Sequence, residues 1–172
     1  MLTMEQAARL VNTPKKIEVK GEILDNIQLT QRVPLQLHYR LLSNEYEDYV
    51  FLYDVKQSGK NYFKFSLYLM ENDAKIGLIR IDYNGQHQNP EAKTESLPEE
   101  FYPYIGKSYS YNEPHVHYYV EEGKSMAWAI PLKDIGFDIQ KITSHADINS
   151  AFIAFNKLIS LETRFNIEPI LI

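Results

Sequence analysis

Three apolar segments joined by short turns occupy the middle of the chain and leave little choice of fold. Residues 48–55 are almost continuously apolar, residues 62–70 are rich in aromatic side chains, and residues 76–83 form a third apolar segment. The sequences between them, Ser58-Gly59-Lys60-Asn61 and Glu71-Asn72-Asp73, have the composition of tight turns. Because connections this short join antiparallel neighbours, we predict an antiparallel meander at the centre of the molecule.

Helical patterns lie near both ends of the chain. Thr3 and Gln6 have the spacing of a capping box at the start of an N-terminal helix, and Ser144 and Asp147 have the same spacing before a C-terminal apolar stripe. Segments of alternating polarity before the meander, and a second hairpin that turns through residues 122–124, add further strands. We therefore predict an α+β fold, with an antiparallel sheet of about six to seven strands and the two helices packed against it.

The length and composition of the chain fit one domain. A chain of 172 residues that is 44% hydrophobic can bury one sizeable core, so we expect a single domain over residues 1–172. Residues 84–114 interrupt the pattern, because they contain four prolines and neither a helical nor a strand period. We predict that this long Pro/Tyr-rich loop packs over the sheet.

Charge and cysteine content exclude several classes of protein. With 18 Lys and Arg against 23 Asp and Glu the formal net charge is -5, so we expect no direct binding of nucleic acid through its phosphates. The absence of cysteine means that any zinc must be held by His, Asp or Glu. The chain has an acidic residue near its start and no apolar run of membrane-spanning length, so we expect a cytoplasmic protein that does not bind membranes. The oligomeric state is left open.

The segment Pro114-His115-Val116-His117 has the pattern of a strand that carries two imidazoles. Side chains at positions i and i+2 of a strand leave from the same face, so His115 and His117 form half of a transition-metal site. His87 follows another predicted strand and is the natural third ligand. Asp82, Glu113 and a water molecule are all open as the fourth ligand. A closed set of protein ligands predicts a structural zinc ion, whereas a water ligand predicts a catalytic one.

Two other interpretations use the same residues. In the first, the three histidines are unconnected and half-buried, or His115 and His117 simply sit on a solvated face of the sheet. In the second, His115, His117, Tyr119 and Lys124 act as general acids and bases in an endoribonuclease that needs no metal.

Tyrosines in the long loop are candidates for a binding surface. An amphipathic ring on a surface loop is a good anchor for a protein interface. We therefore predict that the loop contacts a protein partner through Tyr102, Tyr104, Tyr109 and Tyr111.

Several motifs between residues 76 and 167 resemble those of an uncharacterised bacterial and phage family. They are Asp82-Tyr83-Asn84-Gly85, His87 with Asn89-Pro90, Pro114-His115-Val116-His117 and Trp128-Ala129-Ile130-Pro131-Leu132. The resemblance implies that His87, His115 and His117 belong to one constellation.

The chain is also similar to small zinc-containing anti-CRISPR proteins, which are phage-encoded inhibitors of Cas9. This similarity implies a phage-associated protein whose zinc ion stabilises the fold and which blocks Cas9 by protein binding rather than by catalysis. The competing expectation is a His-based or metal-dependent endoribonuclease or toxin.

Overall fold

The computed structural model describes residues 2–30, 32–121 and 126–168. The predicted turn at residues 122–124, with Lys124, lies outside the described residues. The elements follow in the order α1 (Met4–Asn12), β1 (Lys16–Val19), β2 (Glu22–Leu24), β3 (Asn26–Thr30), β4 (Gln36–Leu42), β5 (Val50–Gln57), β6 (Phe65–Glu71), β7 (Ile76–Tyr83), β8 (His87–Gln88), a 3-10 helix (Glu99–Tyr104), β9 (Ser108–Tyr109), β10 (His115–Tyr118), β11 (Trp128–Pro131), a second 3-10 helix (Leu132–Ile135), α2 (His145–Leu158) and β12 (Arg164–Glu168).

The predicted α+β fold is confirmed. Its main sheet has the strand order β11-β10-β7-β6-β5-β4-β1-β2, and every neighbouring pair in it is antiparallel. The described part of this sheet has eight strands rather than the six to seven predicted. Strand β2 contributes three residues, which is too short for a period of two to stand out in the sequence.

Both predicted helices are present with the predicted caps. The Thr3 hydroxyl accepts a hydrogen bond from the Gln6 backbone at the start of α1, and Ser144 does the same for Asp147 at the start of α2. Within the described residues, no helix has the length and apolar character needed to cross a bilayer.

One face of the main sheet is buried against α2. Tyr53 of β5 stacks on Phe152 and Phe155 of this helix, with ring centroids 6.2 and 5.7 Å away. The Tyr53 hydroxyl donates to Asn156 Oδ1 at 2.7 Å, so its polar end is also satisfied. The opposite face carries the alternate side chains of β4 to β7, which are polar or half-buried. We call this second surface the open face.

A buried lysine joins the C-terminal ends of both helices. Lys15 is 1% exposed, and its Nζ donates to the carbonyl oxygens of Val11, Thr13 and Ile159 at 2.9, 2.7 and 3.0 Å. Carbonyl oxygens at helix ends lack intrahelical donors and carry partial negative charge, so a cation is favourable there. Lys15 therefore fixes α1 relative to α2.

Residues 84–114 contain structure of their own. Strands β8 and β9 pair with each other, and a 3-10 helix, Glu99–Tyr104, lies between them. Phe101 of this helix packs edge-on against Trp128 of β11, with ring centroids 6.3 Å apart. The segment wraps around the outer edge of β11, which is the end of the sheet where the histidines lie.

Candidate metal site

Strand pairing brings the candidate ligands onto one face. Strand β10 lies between β7 and β11, and its register places His115 opposite Asp82 and His117 opposite Arg80. Directly opposed residues of antiparallel strands project to the same side of the sheet. We call these four residues the His-Asp-Arg cluster.

Three members of the cluster converge closely enough to share an ion. His117 Nε2 lies 3.2 Å from Asp82 Oδ2, and His115 Nε2 lies 3.9 Å from the same oxygen. One ligand atom from each of Asp82, His115 and His117 lies within 4.8 Å of the others. Both imidazoles are 0% exposed, while the Asp82 side chain is 19% exposed. The described residues therefore contain one possible metal-binding triad with two nitrogens and one carboxylate oxygen.

Two buried nitrogens in the triad have no hydrogen-bond partner. His115 Nδ1 lies 2.8 Å from the Glu113 carbonyl and donates to it, so its Nε2 carries a lone pair, and that Nε2 is unpartnered. His117 Nδ1 is also buried without a partner. Buried polar atoms are nearly always paired, so two such atoms in neighbouring imidazoles require an explanation.

The contacts of His117 Nε2 with Arg80 and with Asp82 require opposite protonation states of that nitrogen. Its Nη2 lies 3.0 Å from His117 Nε2, and its Nε donates to Asp82 Oδ2 at 2.9 Å. Arginine is always a donor, so His117 Nε2 must be unprotonated to accept from it. The same nitrogen would have to be protonated to donate to Asp82. Since one nitrogen cannot do both, the protein groups alone leave one of these two contacts unfavourable.

His87 lies beside the triad. Its ring centroid is 4.4 Å from that of His117 and 5.6 Å from that of His115. His87 Nε2 lies 3.0 Å from both the Ala127 carbonyl oxygen and Asn89 Oδ1, so this nitrogen is the protonated one. His87 is thereby fixed in the tautomer whose Nδ1 keeps a lone pair, which is how second-shell acceptors orient metal-binding histidines.

Asn89 attaches the segment that carries His87 to the edge of the sheet. Its Oδ1 accepts from the Ala129 backbone N–H, and its Nδ2 donates to the carbonyls of Ala129 and Tyr104, all at 2.9 Å. The side chain thus completes the hydrogen bonding of β11 as a neighbouring strand would. The Tyr109 hydroxyl also donates to the Ala129 carbonyl, at 2.7 Å. These bonds close the β11 edge next to the histidines.

Burial and charge set the protonation of the cluster. Burial lowers the pKa of His117 to about 4, although the hydrogen bond to Asp82 opposes this, and burial also lowers the pKa of His115. Burial alone raises the pKa of Asp82, but its hydrogen bond with His117 and the Arg80 charge outweigh that and hold it well below its usual range. At neutral pH both imidazoles are therefore neutral and Asp82 is ionised, as metal binding requires.

This protonation pattern predicts loss of stability in mild acid. Between pH 6.5 and 4 an unfolded His117 is protonated while the folded one is not, so the unfolded state binds more protons and stability falls as pH falls. The free energy of unfolding is expected to fall by about 1 kcal/mol per pH unit in that range, for a total loss of roughly 3 kcal/mol. Urea unfolding in chelator-containing buffer at pH 7, 6 and 5 measures it. His117→Gln should reduce the slope and His38→Gln, at an exposed position, should not; an unchanged slope in His117→Gln would contradict the assignment.

The residues of the acid–base interpretation are not all brought together. The Tyr119 hydroxyl donates to the Leu2 carbonyl at 2.8 Å, and its ring lines an apolar groove beside α1. Lys124 lies outside the described residues. Glu113, one of the acids considered as a fourth ligand, accepts from the Ser110 backbone and hydroxyl and lies 3.4 Å from Lys107 Nζ.

The four loop tyrosines occupy different environments. Tyr102 and Tyr111 are 41% and 48% exposed. Tyr104 is half-buried and its hydroxyl donates to Asp134 at 2.7 Å. Tyr109 is 3% exposed, with its ring 4.5 Å from that of His115. Tyr109 is therefore part of the wall of the site rather than of the surface.

The fold and the site together define an α+β protein with a buried histidine and carboxylate cluster at one end of an antiparallel sheet. The chain belongs to a family of unknown function, DUF6978, whose model matches residues 2–161. Membership of an uncharacterised family, expected from the motifs, is thus confirmed. No curated protein and no solved structure matches the chain.

Proposed function

We propose that this protein binds one zinc ion through Asp82, His115 and His117, with His87 as the fourth ligand, and that the ion stabilises the fold. The observation that carries this proposal is the convergence of two buried imidazoles on the Asp82 carboxylate, with His115 Nε2 left without a hydrogen-bond partner. A divalent ion would bind the lone pair of His115 Nε2, which no donor in the described cluster satisfies. With nitrogen and oxygen donors and no cysteine in the chain, the donor set suits zinc.

Complete burial of both imidazoles favours a structural ion over a catalytic one. A catalytic zinc keeps a position open for water and substrate, whereas a structural zinc is enclosed by four protein ligands. The segment 84–114 supplies that enclosure, because His87 and Tyr109 cover the side of His115 and His117 away from the sheet. The ion would then join this segment to β7 and β10.

Removal of the ion is therefore expected to destabilise the protein. A chelator should lower the melting temperature by roughly 5–10 °C, because an ion at a hundred times its Kd contributes about 2.7 kcal/mol. Added zinc should restore it. Calorimetry of the chelated, reloaded and untreated protein tests this, with the His115→Ala variant as the control that should no longer respond to either reagent. If protein that contained zinc keeps the same melting temperature after the chelator has removed the ion, the structural role is contradicted.

We further propose that the biological action is non-catalytic binding to a Cas9 effector, which blocks its loading with target DNA. What supports a binding role is the segment 84–114, which presents the exposed rings of Tyr102 and Tyr111 on a scaffold anchored at the site. Exposed aromatic rings on a rigid support lose little entropy when they bind a partner.

The binding role is tested with a double substitution on that segment. Tyr102→Ala/Tyr111→Ala is expected to weaken Cas9 binding by at least about tenfold, since a tyrosine anchor contributes about 1 to 2 kcal/mol. Tyr62→Ala is the matched control, because Tyr62 is 50% exposed but lies in the turn between β5 and β6. Surface plasmon resonance with apo and guide-loaded Cas9 provides the measurement. If wild-type protein binds neither form, the proposed target is wrong.

A further inference from the structure

The position of Arg80 bears directly on how the proposed site would fill. Its guanidinium contacts His117 Nε2 at 3.0 Å and Asp82 Oδ2 at 2.9 Å. These are also the two atoms through which His117 and Asp82 of the metal-binding triad face each other, 3.2 Å apart. A metal ion must accept electron pairs from the same atoms, and arginine cannot lose its proton to make room. An ion bound to that nitrogen and oxygen and the present arginine contacts therefore exclude each other.

Of the four side chains in the cluster, that of Arg80 is the most exposed. His115 and His117 are 0% exposed and lie between two hydrogen-bonded strands, whereas the Arg80 side chain is 31% exposed on the open face. Its cross-strand neighbour on β6 is Tyr68, and a cleft of about 450 Å³ opens beside Asp82. A long, flexible arginine can turn toward solvent there, while the imidazoles keep their places.

Charge also favours an exchange. With Arg80 in place, its positive charge compensates the negative charge of the Asp82 carboxylate within a half-buried site. A divalent ion supplies that compensation itself and repels a guanidinium a few ångströms away, at an interior dielectric where such repulsion is strong. The two cations therefore compete for one carboxylate.

We propose that Arg80 is an internal cation that occupies the ligand atoms of the metal-free site, and that metal binding expels it onto the open face. The inference rests on the proposed metal-binding function and adds its regulation. Arg80, a residue of β7, competes with the metal ion and so lowers the metal affinity of the site. Binding of the ion moves the Arg80 guanidinium, and with it a positive charge, onto the open face of an acidic protein. Arg80 thereby couples the buried site to the surface.

Removing the competitor should tighten metal binding. Arg80→Gln is expected to bind zinc about tenfold or more tightly than wild-type protein, within the usual range of coupling between ligands. Arg40→Gln is the matched control, because Arg40 also projects from the open face and pairs with Glu18, far from the cluster in register. Its affinity should equal that of wild type. Zinc affinities of all three proteins are measured by competition with a chromophoric chelator at one ionic strength.

The outcomes distinguish a failure of the Arg80 competition from a failure of the proposed metal site. If wild type and Arg80→Gln bind zinc equally well, or the variant binds more weakly, the competition is wrong although the metal site stands. If both fold and neither binds, the metal site itself is wrong, and the competition with it. A second measurement uses only wild-type protein: zinc should shift the Arg80 Nε–H resonance of ¹⁵N-labelled protein toward that of a solvent-exposed guanidinium. A resonance unmoved at zinc saturation would overturn the exchange.

Discussion

Replacing Lys15 by methionine is expected to lower the free energy of unfolding by about 3 to 5 kcal/mol, because buried carbonyls left without a donor cost about 1 to 3 kcal/mol each. Methionine fills a similar volume but donates nothing to Val11, Thr13 and Ile159. The C-terminal ends of both helices then lose their shared cation. Loss of the ammonium also removes its contact with the Phe51 ring, whose centroid is 5.0 Å away.

Urea unfolding at pH 6 measures the effect of Lys15→Met. That pH is chosen because burial lowers the pKa of Lys15 to about 7, so the ammonium is charged below it. Lys16→Met is the matched control, since the neighbouring lysine is half-buried and its Nζ pairs with the exposed Asp25 at the surface. It should leave the midpoint almost unchanged. Equal midpoints for Lys15→Met and wild type would show that the lysine does not join the helices.

Asn89→Ala is expected to cost about 1 to 3 kcal/mol, because it leaves the buried N–H of Ala129 without an acceptor and removes one of the two donors to each of the carbonyls of Ala129 and Tyr104. The same change removes Oδ1 as an acceptor for His87 Nε2. The segment 84–114 should therefore loosen from the β11 edge, and the zinc affinity of the proposed site should fall as well.

Two further variants test the role of Asn89. Asn89→Asp keeps the shape and the acceptor but loses the donor, and it faces two carbonyls with a negative charge, so it should destabilise at least as much as alanine. Asn112→Ala, at an exposed position of the same segment, should have little effect. Hydrogen exchange at Ala129 and thermal unfolding report the result. If Asn89→Asp is as stable as wild type, the hydrogen bonds donated by the Asn89 amide do not hold the segment 84–114 to the β11 edge.

Local sequence patterns were sufficient for the meander and the helices. The turns at residues 58–61 and 71–73 and the caps at Thr3 and Ser144 depend on neighbouring residues alone, so they are visible without the fold. The i, i+2 spacing of His115 and His117 likewise predicts their common face.

Features that depend on register could not be read in the same way. Asp82 meets His115 only because β10 pairs with β7 in one particular register, and the sequence offered Asp82, Glu113 and water equally. Arg80 was missed, although its place two residues before Asp82 on the same strand puts it on the ligand face. A charged residue within an apolar strand was the available signal.

Two buried polar residues were also missed for a physical reason. Lys15 and Asn89 satisfy backbone groups from distant parts of the chain, at Ile159 and Ala129. Neither partner can be identified before the tertiary structure is known, because a backbone group carries no sequence signature.

Metal content tests the central claim most directly. Untagged protein is purified without added metal and measured by elemental analysis for zinc, iron, nickel, copper and manganese. We expect about one zinc ion per chain, lost in His87→Ala/His115→Ala/His117→Ala and retained in His38→Ala/His145→Ala, which removes the two exposed histidines instead. Folded wild-type protein that contains no metal, and takes up none from excess zinc, would contradict the account.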